Sequence, residues 1–169
     1  AISKDIIKHY FENIFDNGFK AQIVAHSRLA AYRYKLAIDE ALKEYIASYE
    51  KSGKVDPERL KQMKFLKSVV RIIWENNDTP EMMRFAKEAK LKLGEDNENF
   101  KSKIDHKKPE SGIAFLIVTD MLLTGFDAPI EQVMYVDKRM TDHTLLQAIA
   151  RVNRVTKGKD IGYVVDYYG

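Results

Sequence analysis

Ile113-Ala114-Phe115-Leu116-Ile117-Val118-Thr119 is a short apolar run that reads as a buried strand. Gln132 to Val136 is a second such run and Ile161 to Val165 a third. Between the last two, Thr144 to Val152 has the composition of a short helix. Strands this apolar, separated by helical segments, are not one face of a half-solvated sheet. They predict an α/β fold with a mostly parallel sheet covered on both faces.

Upstream the pattern continues. Ala21-Gln22-Ile23-Val24-Ala25 reads as a buried strand, and Val69-Val70-Arg71-Ile72-Ile73-Trp74 as another, which brings the sheet to about five strands. Ile2, Ile6, Ile7, Tyr10, Phe11, Ile14 and Phe15 fall at helical spacing, with Asn17-Gly18 as the stop. A long helix is expected from about Leu29 to Tyr49, broken at Ser52-Gly53. Pro57 opens another, reaching about Lys67. Thr79 is expected to cap a helix over residues 81–92, with Pro80 in its first turn. Residues 94–112 are polar and lysine-rich, and are expected to hold a short helix and a surface loop.

Composition bounds the function. The 169 residues are 45% hydrophobic, enough for one globular domain with a real core. The 28 Lys and Arg against 25 Asp and Glu leave a net charge of +3, which permits a nucleic-acid partner without requiring one. The absence of cysteine excludes a disulfide scaffold and a thiolate metal site, and fits a cytoplasmic protein. No apolar run approaches a membrane span, so no membrane role is expected. The start lacks the pattern of a signal peptide, and the two ends read as a piece of a longer protein.

Two stretches carry chemistry. The first is Ile117-Val118-Thr119-Asp120-Met121-Leu122-Leu123-Thr124-Gly125-Phe126-Asp127-Ala128-Pro129, a strand running into a loop with a hydroxyl, two acids and a glycine. Ligands of open α/β sheets sit beyond the carboxyl ends of strands. There Thr119 can meet a phosphate, Gly125 allows close backbone approach, and Asp127 can accept from a ribose hydroxyl or a cation. The alternative is a tight loop with Gly for the turn and Asp as a cap. The second stretch is Gln147-Ala148-Ile149-Ala150-Arg151-Val152-Asn153-Arg154, in which Gln147, Arg151 and Arg154 share one helical face. Arginines so placed need an anion, and a triphosphate suits the guanidinium fork. The alternative is a solvated basic face or ion pairs to distant acids.

In this order the two stretches resemble motifs V and VI of superfamily 2 helicases and translocases. Val133 to Lys138, Asp142-His143 and Leu145 to Arg154 are similar to the restriction subunit of type I restriction enzymes in particular. The general superfamily pattern has Gly where this chain has Ala150 and Asn153, a departure that resembles the restriction subfamily. The close resemblance covers about residues 113–166, and a weaker one to motif IV covers Ala21 to Ala31 around His26-Ser27-Arg28. It implies a RecA-like three-layer sandwich over residues 19–169, a C-terminal motor lobe preceded by a linking helix at 1–18.

The roles that follow are those the resemblance implies. Arg154 is the arginine finger and Arg151 its companion, the catalytic pair. Gln147, Gly125 and Asp127 face the nucleotide. Ser27, Arg28 and Thr119 contact the DNA backbone. The cofactor is ATP with Mg2+, bound in a cleft shared with a first RecA-like lobe. Partners are double-stranded DNA, that first lobe and a nuclease domain of the same chain, and the modification and specificity subunits of a restriction complex. The chain has no Gly-x-x-x-x-Gly-Lys-Ser/Thr phosphate loop, no Asp-Glu magnesium pair at a strand end and no nuclease-like core, so alone it is expected neither to hydrolyse ATP nor to cut DNA.

The remaining candidates read as structural. His9, His26, His106 and His143 have no metal-ligand spacing, so no metal site is expected. His143 is expected to cap or pack near the arginine helix, and Tyr167-Tyr168 to pack on a neighbouring domain. Competing functions are another superfamily 2 lobe, a non-catalytic binding module whose arginines hold a structural anion, and a standalone α/β enzyme.

Overall fold

The computed structural model describes residues 1–71, 79–84, 98–119, 128–154 and 156–168. Five parallel strands form one sheet: β1 (Lys20–Ala25), β2 (Lys67–Arg71), β3 (Ile113–Val118), β4 (Glu131–Asp137) and β5 (Tyr163–Asp166). Their order is β2-β3-β1-β4-β5. The helices are α1 (Ile2–Asn13), α2 (Arg28–Glu50), α3 (Pro57–Phe65) and α4 (Asp142–Val152), and residues 80–84 and 98–101 are also helical. The expected α/β fold with a parallel sheet is observed, and it is consistent with a RecA-like sandwich.

Chain direction decides which face each helix covers. From β1 the chain passes through α2 and α3 to β2 on one side of the sheet, whereas from β4 it passes through α4 to β5 on the other. Right-handed crossovers in opposite directions put α2 and α4 on opposite faces. The reversal falls between β1 and β4, where Ala25 pairs with Asp137 at the carboxyl edge. Such a switch point opens a crevice.

α1 packs into the same core. Tyr10 donates from its hydroxyl to the Phe19 carbonyl at 2.8 Å, and its ring lies 4.6 Å from that of Phe115. Burial pushes the Tyr10 hydroxyl well above its usual pKa. Phe11 stacks on Tyr45 at 4.5 Å, and His9 Nδ1 lies 2.7 Å from the Tyr135 hydroxyl.

Local signals behave as expected at most boundaries. Gly18 and Gly53 adopt φ of 76° and 77°, the left-handed turns that end the first two helical segments. Thr79 Oγ1 accepts from Met82 N at 3.2 Å as a helix cap. Several boundaries differ by two residues: β2 begins at Lys67 instead of Val69, and α4 at Asp142 instead of Thr144. α3 ends at Phe65, because Leu66 turns extended to lead into β2. β5 begins at Tyr163 instead of Ile161, because Ile161 and Gly162 are engaged against α4 and β4, as described below. Residues 72–74 of the expected second strand and 85–92 of the expected helix lie outside the described residues.

Candidate functional site

The carboxyl edge of the sheet gathers one group of the expected residues. Ser27 and Arg28 follow β1, and Thr119 follows β3, its neighbour. Ser27 caps the 23-residue helix α2: its Oγ accepts from Ala30 N at 3.1 Å. The hydroxyl proton stays available to donate. Arg28 is the first residue of that helix. The Thr119 carbonyl accepts from Lys138 Nζ at 3.1 Å, which ties the end of β3 to the end of β4.

At the switch point itself, Tyr34 donates to Asp137 Oδ2 at 2.6 Å, and His26 Nδ1 lies 4.0 Å from the same oxygen. Desolvation, then the hydrogen bond to Asp137, raise the Tyr34 pKa far above normal, so it stays a donor at any working pH. These residues line a cleft of about 680 Å³ that also exposes Lys4 and Arg33. Tyr34 and Asp137 were not among the expected residues. They are 103 positions apart, and only the sheet register brings them together.

The arginine helix lies toward the other end. α4 connects two parallel strands, so it runs against them, from the carboxyl edge at Asp142 back to the amino edge at Val152. Its cap is Thr141, whose Oγ1 accepts from Thr144 N at 3.3 Å. His143, expected to cap or pack near this helix, is exposed in its first turn. Gln147 and Arg154 are exposed, whereas Arg151 is 8% exposed. The three do not form one open face. The helix turns Arg151 inward, and Arg154 sits just beyond the C-cap Asn153.

The interior carboxyl is Glu131, the first residue of β4. It is fully buried, and neither carboxylate oxygen has a hydrogen-bond partner. Burial raises its pKa to about 8, against the opposing fields of Arg151 and Lys159. A carboxyl whose folded pKa lies above its unfolded one binds its proton more tightly when folded. That contribution is complete below about 4.5 and is lost as pH rises through about 8. Glu131→Gln should therefore gain stability relative to the parent between pH 5.5 and 8.5, read as the difference in melting temperature at each pH. An unchanged difference would mean that Glu131 is not the buried proton site. Lys20, whose pKa burial lowers to about 7, acts in the opposite direction but equally in both proteins.

Lys159 is buried and donates to the Pro129 carbonyl at 2.9 Å and to the Glu131 carbonyl at 3.0 Å. Gln132 donates to the Ile161 carbonyl at 2.8 Å. Glu131, Gln132 and Lys159 were also unexpected: nothing in a lone acid at a strand start or a lysine in a turn announces a partner 28 residues away. Gly125 and Asp127, with Asp120, lie outside the described residues. Among the described residues no cluster of acids and histidines could hold a metal ion, and no helix is long and apolar enough to cross a membrane.

A family model described as type I restriction enzyme subunit R domain 3 matches residues 2–169. The chain belongs to this family. It is 36% identical over 170 residues to the putative type I restriction enzyme MjaVIIP endonuclease subunit of Methanocaldococcus jannaschii, a match covering 99% of this chain and 15% of that relative. It is 45% identical over 98 residues to the type I restriction enzyme HindI endonuclease subunit of Haemophilus influenzae, covering 55% of this chain and 8% of the relative. A third relative, the SauCOLORF180P endonuclease subunit of Staphylococcus aureus, is 48% identical over 59 residues, 34% of this chain and 6% of the relative. The chain thus spans about 15% of the length of the relative that it matches nearly end to end. In this R-subunit domain the edge that carries Ser27, Arg28 and Thr119 and the end of the arginine helix are two separate places on one sheet.

Proposed function

We propose that this R-subunit domain is the second motor lobe of an ATP-driven DNA translocase within a type I restriction enzyme. The observation that carries the reading is the separation of its two candidate sites. Ser27, Arg28 and Thr119 stand at the carboxyl edge, and Arg154 leaves α4 near the amino edge. β4 has seven residues, so the two edges are about 20 Å apart at ~3.3 Å per residue. One body can then hold a DNA backbone at one edge while presenting a cation to a nucleotide elsewhere. Movement of the whole lobe links the two.

The exposed Arg154 and Gln147 suit the phosphate side of an ATP bound mainly by a first lobe. When bound, ATP with Mg2+ would supply the phosphoryl group whose transfer releases the closed state. Arg154 stabilises the charge that develops in that transfer, and Gln147 orients on the same side. Arg151 takes a narrower role than its spacing suggests. Its burial, with its charge acting on Glu131, favours a residue that holds α4 in place over one that meets phosphate. The partners on this reading are double-stranded DNA, a first lobe and nuclease domain in the same subunit, and the modification and specificity subunits. The setting is the cytoplasm.

The DNA edge has its own test. Arg28→Ala in the full-length subunit should weaken duplex binding several-fold, equally for unrelated sequences, and reduce the salt slope by about one. Titrations at several salt concentrations read both. Unchanged affinity and slope would remove Arg28 from the DNA path.

A further inference from the structure

The segment that carries Arg154 is fastened on both sides, by groups that no motif marks. On its near side, Asn153 N bonds to the Ile149 carbonyl at 3.0 Å, and Arg154 N to the Arg151 carbonyl at 3.4 Å. On its far side the chain makes a tight turn. Thr156 bridges to Lys159, with Lys159 N on the Thr156 carbonyl at 3.1 Å, and Gly158 takes φ 84°. A non-glycine residue would be strained there. The turn drops the Lys159 side chain into the interior, where its ammonium holds the carbonyls of Pro129 and Glu131. Two residues on, the Ile161 carbonyl takes the Gln132 amide. Gly162 closes against the helix itself: a Cβ there would lie 2.4 Å from the Val152 carbonyl oxygen.

A buried lysine is costly to desolvate unless its ammonium is hydrogen-bonded. Here the ammonium spans from the loop to the start of β4. We propose that Lys159, together with Gln132, is a positioning device that registers the Arg154 segment against β4, so that the arginine is presented at one fixed place on the lobe. The device does not touch nucleotide; it acts through Arg154. A rigid body that moves an arginine into another lobe's site delivers it only as accurately as the arginine is held on that body, and an error near 1 Å is costly. This inference rests on Arg154 being the ATP-facing arginine.

The test is a double-mutant cycle in the full-length subunit, with DNA-stimulated ATPase as the readout. Lys159→Met should lower kcat about tenfold, with KM for ATP and DNA affinity within about twofold, and Lys159→Arg should restore most of the loss. In an Arg154→Ala background the same Lys159→Met change should cost less than about twofold, because the residue it positions is gone. Full loss in that background, or unchanged kcat in Lys159→Met while Arg154→Ala is impaired, would overturn the positioning role alone. Wild-type turnover in Arg154→Ala would overturn the motor reading and the positioning role with it. If Lys159→Met does not fold, Gln132→Met decides by the same cycle. It removes only the bond to Ile161, and a few-fold loss masked by Arg154→Ala supports the proposal, whereas an additive loss or none rejects it.

Discussion

On the proposed reading, replacing Arg154 by alanine should lower the DNA-stimulated ATP turnover of the full-length subunit by about a hundredfold or more while DNA binding is retained. An arginine that meets a transferring phosphoryl group from a separate body is worth ~10³–10⁵ in rate. A hundredfold loss, about 2.7 kcal/mol, lies below that range and is the least its removal should cost. The residue is exposed beyond the end of α4 and the structure behind it is fastened independently, so truncation should leave the fold intact. The comparison is made at matched DNA occupancy, by single-turnover and steady-state ATPase. Retained DNA affinity with lost turnover places Arg154 in the nucleotide cleft. Unchanged turnover would reduce this lobe to a binding or structural module, the reading in which the arginines hold only internal anions.

Phe115→Ala should destabilise the chain by about 3–5 kcal/mol, the range for a fully buried aromatic truncated to alanine. Phe115 is 0% exposed in β3, sits opposite Ala21 in β1, and lies against the Tyr10 ring. It therefore joins two central strands to α1. Chemical denaturation with the midpoint and slope both measured would report the loss. A change below about 1 kcal/mol would mean that α1 does not share the core described above.

Much of the layout was legible in residue type. The continuous apolar runs at Ile113–Val118 and in β4 can only be strands buried on both faces, and they were found within a residue of their expected bounds. Thr79, Gly18 and Gly53 acted through local chemistry, a hydroxyl cap and two left-handed turns, which need nothing beyond neighbours along the chain. The misplacements have long-range causes. Ile161 is as strand-like as any residue in β5. Its carbonyl is taken by Gln132, and Gly162 is pressed against the end of α4, so pairing begins only at Tyr163. α4 is capped by Thr141 and not by His143, because the Thr141 hydroxyl is the one that accepts from Thr144 N.

The candidate site divides along the same line. The residue types by themselves determined that this is an α/β chain with a hydroxyl at a strand end and a helix bearing Gln147, Arg151 and Arg154, because those features depend on spacing along a strand or helix. Only the tertiary structure decided that the arginines part company. Arg151 is turned into the interior where Glu131 lies, and Arg154 stays outside. Helical periodicity says which residues share a direction, but not how far the neighbouring sheet reaches around the helix to bury them. Glu131, Gln132 and Lys159 were invisible for the same reason: a buried charge is defined by what surrounds it, and their surroundings come from segments that meet only when β4, α4 and β5 pack together.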